Sequence, residues 1–449
     1  MNAFNRRWFL ILLLFLGWSS LSADPLPLDL LGAMQLALRN NLSLQANRME
    51  TQKVAYMLDE ARGYSWGKLG VEAQYLHMNS IISITSPPIT IPFLHNAQLA
   101  VPPVEIAPQD LLHLRLKAGI PLYTGGKIPS AIRQAQYGLD AQRFFTGDLE
   151  NDAAYRAGDL FLGCVLARKA WEVNQKAMDS YREHLSQAQK AYDRGLVARY
   201  DVIRAQASVA EQEKKLTQAG NQYDLALAAL KSELLLERNS LVDLKGGFFE
   251  TRESLTLEQA LARVDGVPVL KALDHKIKSL EMACKVTAAD GQPQVAAVGQ
   301  METLTKQIAQ TDPKWFYGLE ANFDLFDGGV RKAKISQNQM EAEKTLLERR
   351  QASEQLKLAV QSAYCDMDSA IQGLTASRKA KELAQESLRL ADKRFQVGTG
   401  TGLEVLDANL SVMVAQIGEY QSLYQLDQAY LKLHRYLGDV QTAYREVQQ

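Results

Sequence analysis

The chain has 449 residues, of which 47% are hydrophobic and 22% charged, as is typical of a folded protein and not of a disordered one. Its 50 basic and 51 acidic residues nearly cancel, which argues against the basic surface of a nucleic-acid-binding protein. The three cysteines, Cys164, Cys284 and Cys365, exclude a fully paired disulfide framework, and their helix-like surroundings predict buried free thiols.

Residues 1–23 predict a secretory signal peptide. Arg6 and Arg7 precede an apolar run from Trp8 to Trp18, and small residues lead to Ala23. This run is too short to span a membrane comfortably, and no other stretch approaches the roughly 18 uninterrupted apolar residues of a membrane helix. We therefore expect an exported chain that could enter a membrane only through strands.

The first half of the mature chain predicts a helix, two strands and a long helical segment. Apolar spacing predicts a helix from residue 28 to about Arg62, and residues 71–75 then alternate between apolar and polar as in a half-buried strand. Five prolines between Ser86 and Pro108 predict a loop. The alternation is clearest over residues 112–120, a strand that ends in the Gly125-Gly126 pair.

The second half predicts the same elements in the same order. A helix at residues 255–263 is followed by a weak strand near residues 295–301 and a sharp one over residues 318–325, which leads to Gly328-Gly329. Gly126 to Gly195 and Gly329 to Gly398 both span 69 positions, and Pro129, which a first helical turn accepts, is the one proline in either segment. Helices of this length must lie against other long helices.

Two observations support a duplicated, coiled-coil-like architecture. The sequence RGLVARYDVIRAQASV at residues 194–209 recurs as VGTGTGLEVLDANLSV at residues 397–412, an offset of 203. After the first copy, apolar side chains recur every seven residues, which indicates a left-handed supercoil: Val202, Val209, Leu216, Tyr223 and Leu230. The chain is thus predicted to contain the signal peptide (1–23), a first repeat (24–250) and a second repeat (251–449).

Four strands per chain cannot close a barrel, and an open sheet edge is not viable in lipid. Export together with strands of about ten alternating residues favours an outer-membrane barrel. Closure then requires several chains, and three copies would supply twelve strands.

The ordered set of paired half-start helices, strand-to-GlyGly junctions and two glycine turns resembles the TolC family of outer-membrane efflux channels over nearly the whole mature chain. The resemblance implies an α+β membrane protein, a homotrimer with a twelve-stranded β-barrel in outer-membrane lipid, continued by a long periplasmic α-helical barrel. It also implies a periplasmic adaptor and an inner-membrane pump as partners, small toxic compounds or drugs as cargo, and no catalytic chemistry, cofactor, metal or nucleic acid.

The resemblance also assigns roles to residues. The two glycine turns become the periplasmic tips where the adaptor docks: Arg194, Gly195, Leu196, Val197 and Ala198, and Val397, Gly398, Thr399, Gly400 and Thr401. Glu404 and Asp407 become the pore constriction, and their i, i+3 spacing places both on one helix face. In a trimer they would form a ring of six carboxylates that favours cations.

Two further positions, Asp201 and Phe395, are implied tip contacts, but Phe395 has no hydroxyl to donate. Gly400 stands where the family often has a basic residue, so a lock that holds the tip closed is in doubt at those positions.

Plainer interpretations stay open. Acidic residues in a first helical turn also offset the helix dipole, and the glycines could simply make interhelical turns. The aromatic residues near the strand ends fit a membrane-interface belt or plain packing. The six histidines are scattered without ligand spacing, which predicts no metal site. A duct for type I protein secretion and a poreless periplasmic coiled-coil scaffold are the alternative functions.

Overall fold

The computed structural model describes residues 26–93, 95, 97–107, 109–250, 255–304 and 314–448, so the predicted signal peptide lies outside the described residues. The first half contains β1 (Leu26–Leu28), α1 (Leu30–Asn40), α2 (Leu42–Gly63), β2 (Lys68–His77), β3 (Ile82–Ile84), β4 (Ile89–Ile91), β5 (Ala97–Leu99), β6 (Val104–Ala107), β7 (Asp110–Tyr123), α3 (Lys127–Asp193), α4 (Arg199–Glu233) and β8 (Val242–Leu244). The second half contains α5 (Leu257–Arg263), α6 (Pro268–Ala289), β9 (Gln294–Leu304), β10 (Trp315–Asn322), α7 (Val330–Gln396), α8 (Gly402–Leu437) and α9 (Val440–Gln448).

The chain divides into two compact units, and each takes segments from both sequence halves. One comprises the described parts of Met1–Asn47, Thr146–Pro268 and Ala352–Gln449; the other comprises Arg48–Phe145 and Val269–Gln351. The repeat boundaries at residues 24–250 and 251–449 stay predictions.

The strand-bearing unit contains one antiparallel sheet of four strands in the order β10-β9-β7-β2. Trp315 of β10 is opposite Met301 of β9, and Met301 is also opposite Leu116 of β7. Leu116 is opposite Val71 of β2. All four predicted strands are therefore present and lie in one sheet.

Two boundaries in this unit differ from the sequence prediction. The proline-rich stretch predicted as a loop contains three short strands, β4, β5 and β6. β4 pairs with β5, and β6 pairs with β3, which lies just before the stretch. β-branched residues such as Ile89 and Ile91 favour strands here despite the prolines. Strand β10 begins at Trp315 and ends at Asn322, earlier than predicted, because its partner β9 begins at Gln294, directly opposite Asn322. Pro108 lies outside the described residues.

The predicted first helix is broken at Asn41. The Asn41 side-chain oxygen accepts a hydrogen bond from the backbone N–H of Leu44, 3.1 Å away, and so begins α2 as a separate helix. The corresponding helix α5 begins with a capping box, in which Thr256 and Gln259 bond to each other's backbone N–H.

The other unit is built mainly from the long helices, as predicted. Helices α3 and α7 have 67 residues each. Of the predicted seven-residue seam on α4, Val202 and Leu230 are buried, and the three residues between them are half-buried. A stripe of Ala205, Gln212 and Ala219 is also buried on α4, and the Gln212 amide donates to the Asn174 side-chain oxygen at 3.1 Å. These contacts pair α3 with α4.

The segment that joins the two repeats is held on α8 by a buried carboxylate. Asp427 is fully buried, and its two oxygens accept hydrogen bonds from the backbone N–H groups of Phe249 (2.9 Å) and Glu250 (3.0 Å). Burial raises the pKa of Asp427 to about 7, although these two hydrogen bonds lower it. Glu250 also forms an ion pair with Arg378, 2.6 Å away.

All three cysteines are free, but the prediction that all are buried was wrong. Cys164 is buried, Cys284 is half-buried and Cys365 is exposed. Burial raises the pKa of the Cys164 thiol to about 12, so this thiol is the least reactive of the three in the folded chain.

Candidate functional site

The two glycine turns have the same backbone geometry. Gly195 and Gly398 adopt positive φ values of 72° and 78°, which glycine reaches without steric cost. The N–H of Leu196 donates to the carbonyl oxygen of Ala191 at 2.9 Å, and the N–H of Thr399 donates to that of Arg394 at 2.9 Å. Each turn therefore closes its long helix by the left-handed cap that the repeated glycine predicts.

Both turns present apolar side chains to solvent. Leu196 is 73% exposed and Val397 is 72% exposed. Exposed apolar side chains of this kind are compatible both with the predicted docking of a partner and with a plain interhelical turn, so the docking role stays a prediction.

The predicted constriction residues lie in the first two turns of α8. The N–H of Glu404 donates to the Thr401 hydroxyl at 3.3 Å, so Thr401 caps the helix. A Glu404 carboxylate oxygen lies 3.1 Å from a guanidinium nitrogen of Arg394, at the end of α7. Asp407 is exposed and, within the part of the chain that the structure describes, forms no ion pair. It lines a cleft of about 160 Å³ together with Tyr181 and Arg204.

Asp201, the counterpart of Glu404 in the first repeat, bonds to the backbone of its own turn. Its carboxylate accepts a hydrogen bond from the backbone N–H of Ala198 at 3.1 Å and so caps α4. Phe395 packs against a small buried cluster of Ala391, Val405 and Ala408. The predicted tip contacts therefore have partners within their own chain.

Gly400 is held by close packing. A Cβ added there would lie 2.9 Å from the Cβ of Arg394 and 3.0 Å from its carbonyl carbon. The turn therefore has no room for the basic side chain that the TolC-family pattern often places there unless the backbone shifts.

His184 on α3 is a tip residue that the sequence analysis did not identify. It is buried, its ring centroid lies 5.4 Å from that of Phe395, and its Nδ1 has no hydrogen-bond partner among the described residues. Burial lowers the pKa of His184, while Asp392 on α7 raises it. Burial likewise raises the pKa of Asp392, while His184 lowers it and Glu183 raises it. A lone histidine carries no motif, so only the fold reveals this contact.

The four-stranded sheet has one apolar and one polar face. The apolar face carries Leu112, Leu114 and Leu116 of β7 beside Val71 and Tyr75 of β2, and all five are exposed. On the opposite face His113 pairs with Glu302, Arg115 lies 3.6 Å from Glu72, and Lys117 lies 2.6 Å from Glu72. The apolar face, which a soluble antiparallel sheet would pack on its core, is therefore exposed here.

The GlyGly pairs join the sheet to the long helices. Gly125, Gly126, Gly328 and Gly329 all have positive φ values, between 60° and 86°. The repeated pairs therefore mark equivalent left-handed turns into α3 and α7.

The described residues contain neither a candidate membrane-spanning helix nor a candidate metal-binding cluster. Over the described ranges, no helix combines the length and the apolar character needed to cross a membrane. Among the same residues, no group of three or more His, Cys, Asp or Glu side chains could hold a metal ion.

Comparison with known proteins gives both a family and a fold. The family model described as outer membrane efflux protein matches residues 104–234 and 257–439. The chain is 22% identical over 306 residues to the outer membrane efflux protein BepC of Brucella suis, covering 67% of this chain and 66% of that protein. It is 24% identical over 317 residues to the alkaline protease secretion protein AprF of Pseudomonas aeruginosa, covering 68% and 64%. The chain thus spans just under two thirds of the length of each relative.

Solved structures show the same fold at low identity. A structure of CusC superposes with a TM-score of 0.74 at 14% identity, covering 91% of this chain and 92% of that one. The outer membrane protein VceC of Vibrio cholerae gives a TM-score of 0.72 at 16% identity, covering 91% and 96%. The predicted α+β channel fold of the single chain is therefore confirmed, whereas the trimer and its twelve-stranded barrel stay predictions.

Proposed function

The chain belongs to the outer membrane efflux protein family, and from this membership we propose that it is the outer-membrane exit duct of a tripartite efflux or secretion system. The family places it in the outer membrane. The observation that carries the proposal is the four-stranded sheet, with its exposed apolar face, polar opposite face and two unpaired edge strands, β2 and β10.

The sheet suits lipid on one side and water on the other. Its apolar face would contact hydrocarbon, and its ion-paired face would line an aqueous lumen. In lipid, each unpaired backbone group of an open edge costs several kcal/mol, so β2 of one copy must pair with β10 of another. Three copies would close a twelve-stranded barrel, and the long helices would continue it as a periplasmic tube.

The partners follow from the two tips. The exposed turns Arg194–Ala198 and Val397–Thr401 would dock the periplasmic adaptor, which links the duct to an inner-membrane pump. The duct itself would conduct its cargo passively, and its partners would open it.

The cargo has two candidate classes. BepC carries the name of an efflux protein and AprF that of a protease secretion protein, so relatives of both kinds match this chain at similar identity. We propose small toxic compounds or drugs as the first candidate and secreted proteins as the second.

Single-channel current in a planar bilayer tests the duct. Trimers extracted with detergent should give a small, long-lived, cation-preferring conductance. Trimers with native helical content that pass no current from either side would contradict the proposal. Membrane extraction tests the scaffold alternative: a barrel needs detergent for release, whereas a scaffold is released by urea or high salt.

A further inference from the structure

Arg394 is fixed at the centre of the second tip. Its carbonyl oxygen accepts hydrogen bonds from the N–H groups of Thr399 and Gly400, each at 2.9 Å. Its guanidinium lies 3.1 Å from the Glu404 carboxylate and donates to the Thr399 carbonyl oxygen at 3.4 Å. The same residue therefore closes the turn through its backbone and spans it with its side chain.

The first tip has no equivalent. At the repeat offset of 203, Ala191 occupies the position of Arg394, and Asp201 occupies that of Glu404. The Asp201 carboxylate accepts a hydrogen bond from the N–H of Ala198 and forms no ion pair with a basic side chain in the described part of the chain. The two tips thus differ in the contact of their acidic residue: Asp201 bonds to a backbone N–H in the first tip, and Glu404 pairs with Arg394 in the second.

We infer that Arg394 is a specificity-determining residue of the proposed constriction, because it neutralises Glu404 and leaves Asp407 as the acidic residue that acts on passing ions. This inference rests on the proposed function. Opposite charges about 3 Å apart act as a dipole at larger distances, so a passing ion experiences mainly the field of Asp407. Each chain then contributes one net negative charge to the constriction instead of two.

The position of Arg394 does not depend on the ion pair alone. The side chains of Arg394 and Glu404 are 58% and 39% exposed, and an exposed ion pair contributes little free energy by itself. Here the turn adds the Thr399 carbonyl as a second acceptor, and the close approach of Gly400 restricts the Arg394 Cβ. These two contacts therefore support the position of the guanidinium beside Glu404 in addition to the ion pair.

The test is the cation-to-anion permeability ratio, from reversal potentials in a salt gradient. Arg394→Gln uncovers Glu404 and should raise the ratio about sixfold. One unit charge roughly 8 Å away in water favours a monovalent cation by a factor of about 2.4 and disfavours an anion by the same factor, and the ratio changes by the product of the two. Glu404→Gln leaves Arg394 unpaired and should lower the ratio. The double variant should return it to near the wild-type value, and Asp407→Asn should lower it.

Arg389→Gln is the matched control, because Arg389 forms an exposed ion pair with Glu386 on the same helix but outside the turn. It should leave the ratio unchanged, and Arg394→Lys, which retains the charge, should also stay near wild type.

An Arg394→Gln channel that conducts with the wild-type ratio overturns the inference and leaves the duct intact. Absence of current in the wild-type trimer refutes the duct, and the inference with it. If Asp407→Asn and Glu404→Gln both keep the wild-type ratio, the constriction lies elsewhere, and the role of Arg394 is refuted while the duct stands.

Discussion

Asp427 is expected to make the stability of this protein depend on pH, and the variant Asp427→Asn should remove that dependence. The carboxyl group is fully buried and accepts two backbone hydrogen bonds from the segment that joins the repeats. Asparagine has nearly the same shape but cannot ionise. The comparison therefore isolates the buried charge from the packing around it.

The magnitude follows from the shift in pKa. Burial raises the pKa of Asp427 from 3.8 to about 7, a shift of roughly three units. At 1.36 kcal/mol per unit, the folded state loses about 4 kcal/mol per chain when this group ionises. Since the folded state binds the proton more tightly than the unfolded chain does, the stability contributed by Asp427 should fall as pH rises from about 4 to about 7, and then level off.

The assay is urea unfolding in detergent, followed by circular dichroism at several pH values between 4 and 8. The difference in unfolding free energy between wild type and Asp427→Asn should change by about 4 kcal/mol across this range, in favour of the variant at high pH. The amide leaves one backbone N–H without its acceptor, which adds an offset of about 1–3 kcal/mol that does not vary with pH.

The control is Asp366→Asn, which removes an exposed carboxylate that pairs with Lys432. It should shift stability slightly and leave the pH slope in place. If wild type and Asp427→Asn keep a constant difference from pH 4 to pH 8, the assignment of the slope to this carboxyl is refuted.

Two further predictions concern the helices. Gly400→Ala should lower the melting temperature, because the added Cβ meets the Arg394 backbone at 3.0 Å, whereas Gly373→Ala in the middle of α7 has free space and should raise it through helix propensity. Equal shifts from both variants would refute the close packing of the turn. Maleimide should modify exposed Cys365 in the folded protein and spare Cys164 until urea is added, as mass spectrometry of the peptides can determine. Early modification of Cys164 would contradict its burial.

The sequence predicted the long helices and the strands because both follow from local pattern. A helical pattern that runs for 69 residues with one proline near its start predicts a long helix, and alternation over residues 112–120 predicts a strand. The local pattern did not predict element boundaries that depend on contacts with another strand or side chain. The end of β10 at Asn322 is set by Gln294, the first residue of its antiparallel partner β9, and the break at Asn41 depends on one side-chain hydrogen bond.

The residues of the candidate site also fall into two groups, those that the sequence indicated and those that only the folded structure reveals. The repeated glycines, with Glu404 and Asp407 after the second of them, could be read from the sequence, and their roles stay predictions. Arg394 and His184 could not, because each acts on residues that only the folded turn brings near: Glu404 ten positions away for Arg394, and Phe395 on another helix for His184. The one available cue was a basic residue in the last turn of a long helix.

The unpaired edges of the sheet also determine how such a protein must be made. A single chain exposes the backbone donors and acceptors of β2 and β10 together with an apolar face, which is the combination that promotes aggregation. The copies must then meet before or during their entry into lipid. Because assembly needs several copies, the yield of inserted protein should rise more steeply than the amount of chain synthesised. At low abundance the unassembled chain would spend longer in the form that proteases and chaperones recognise.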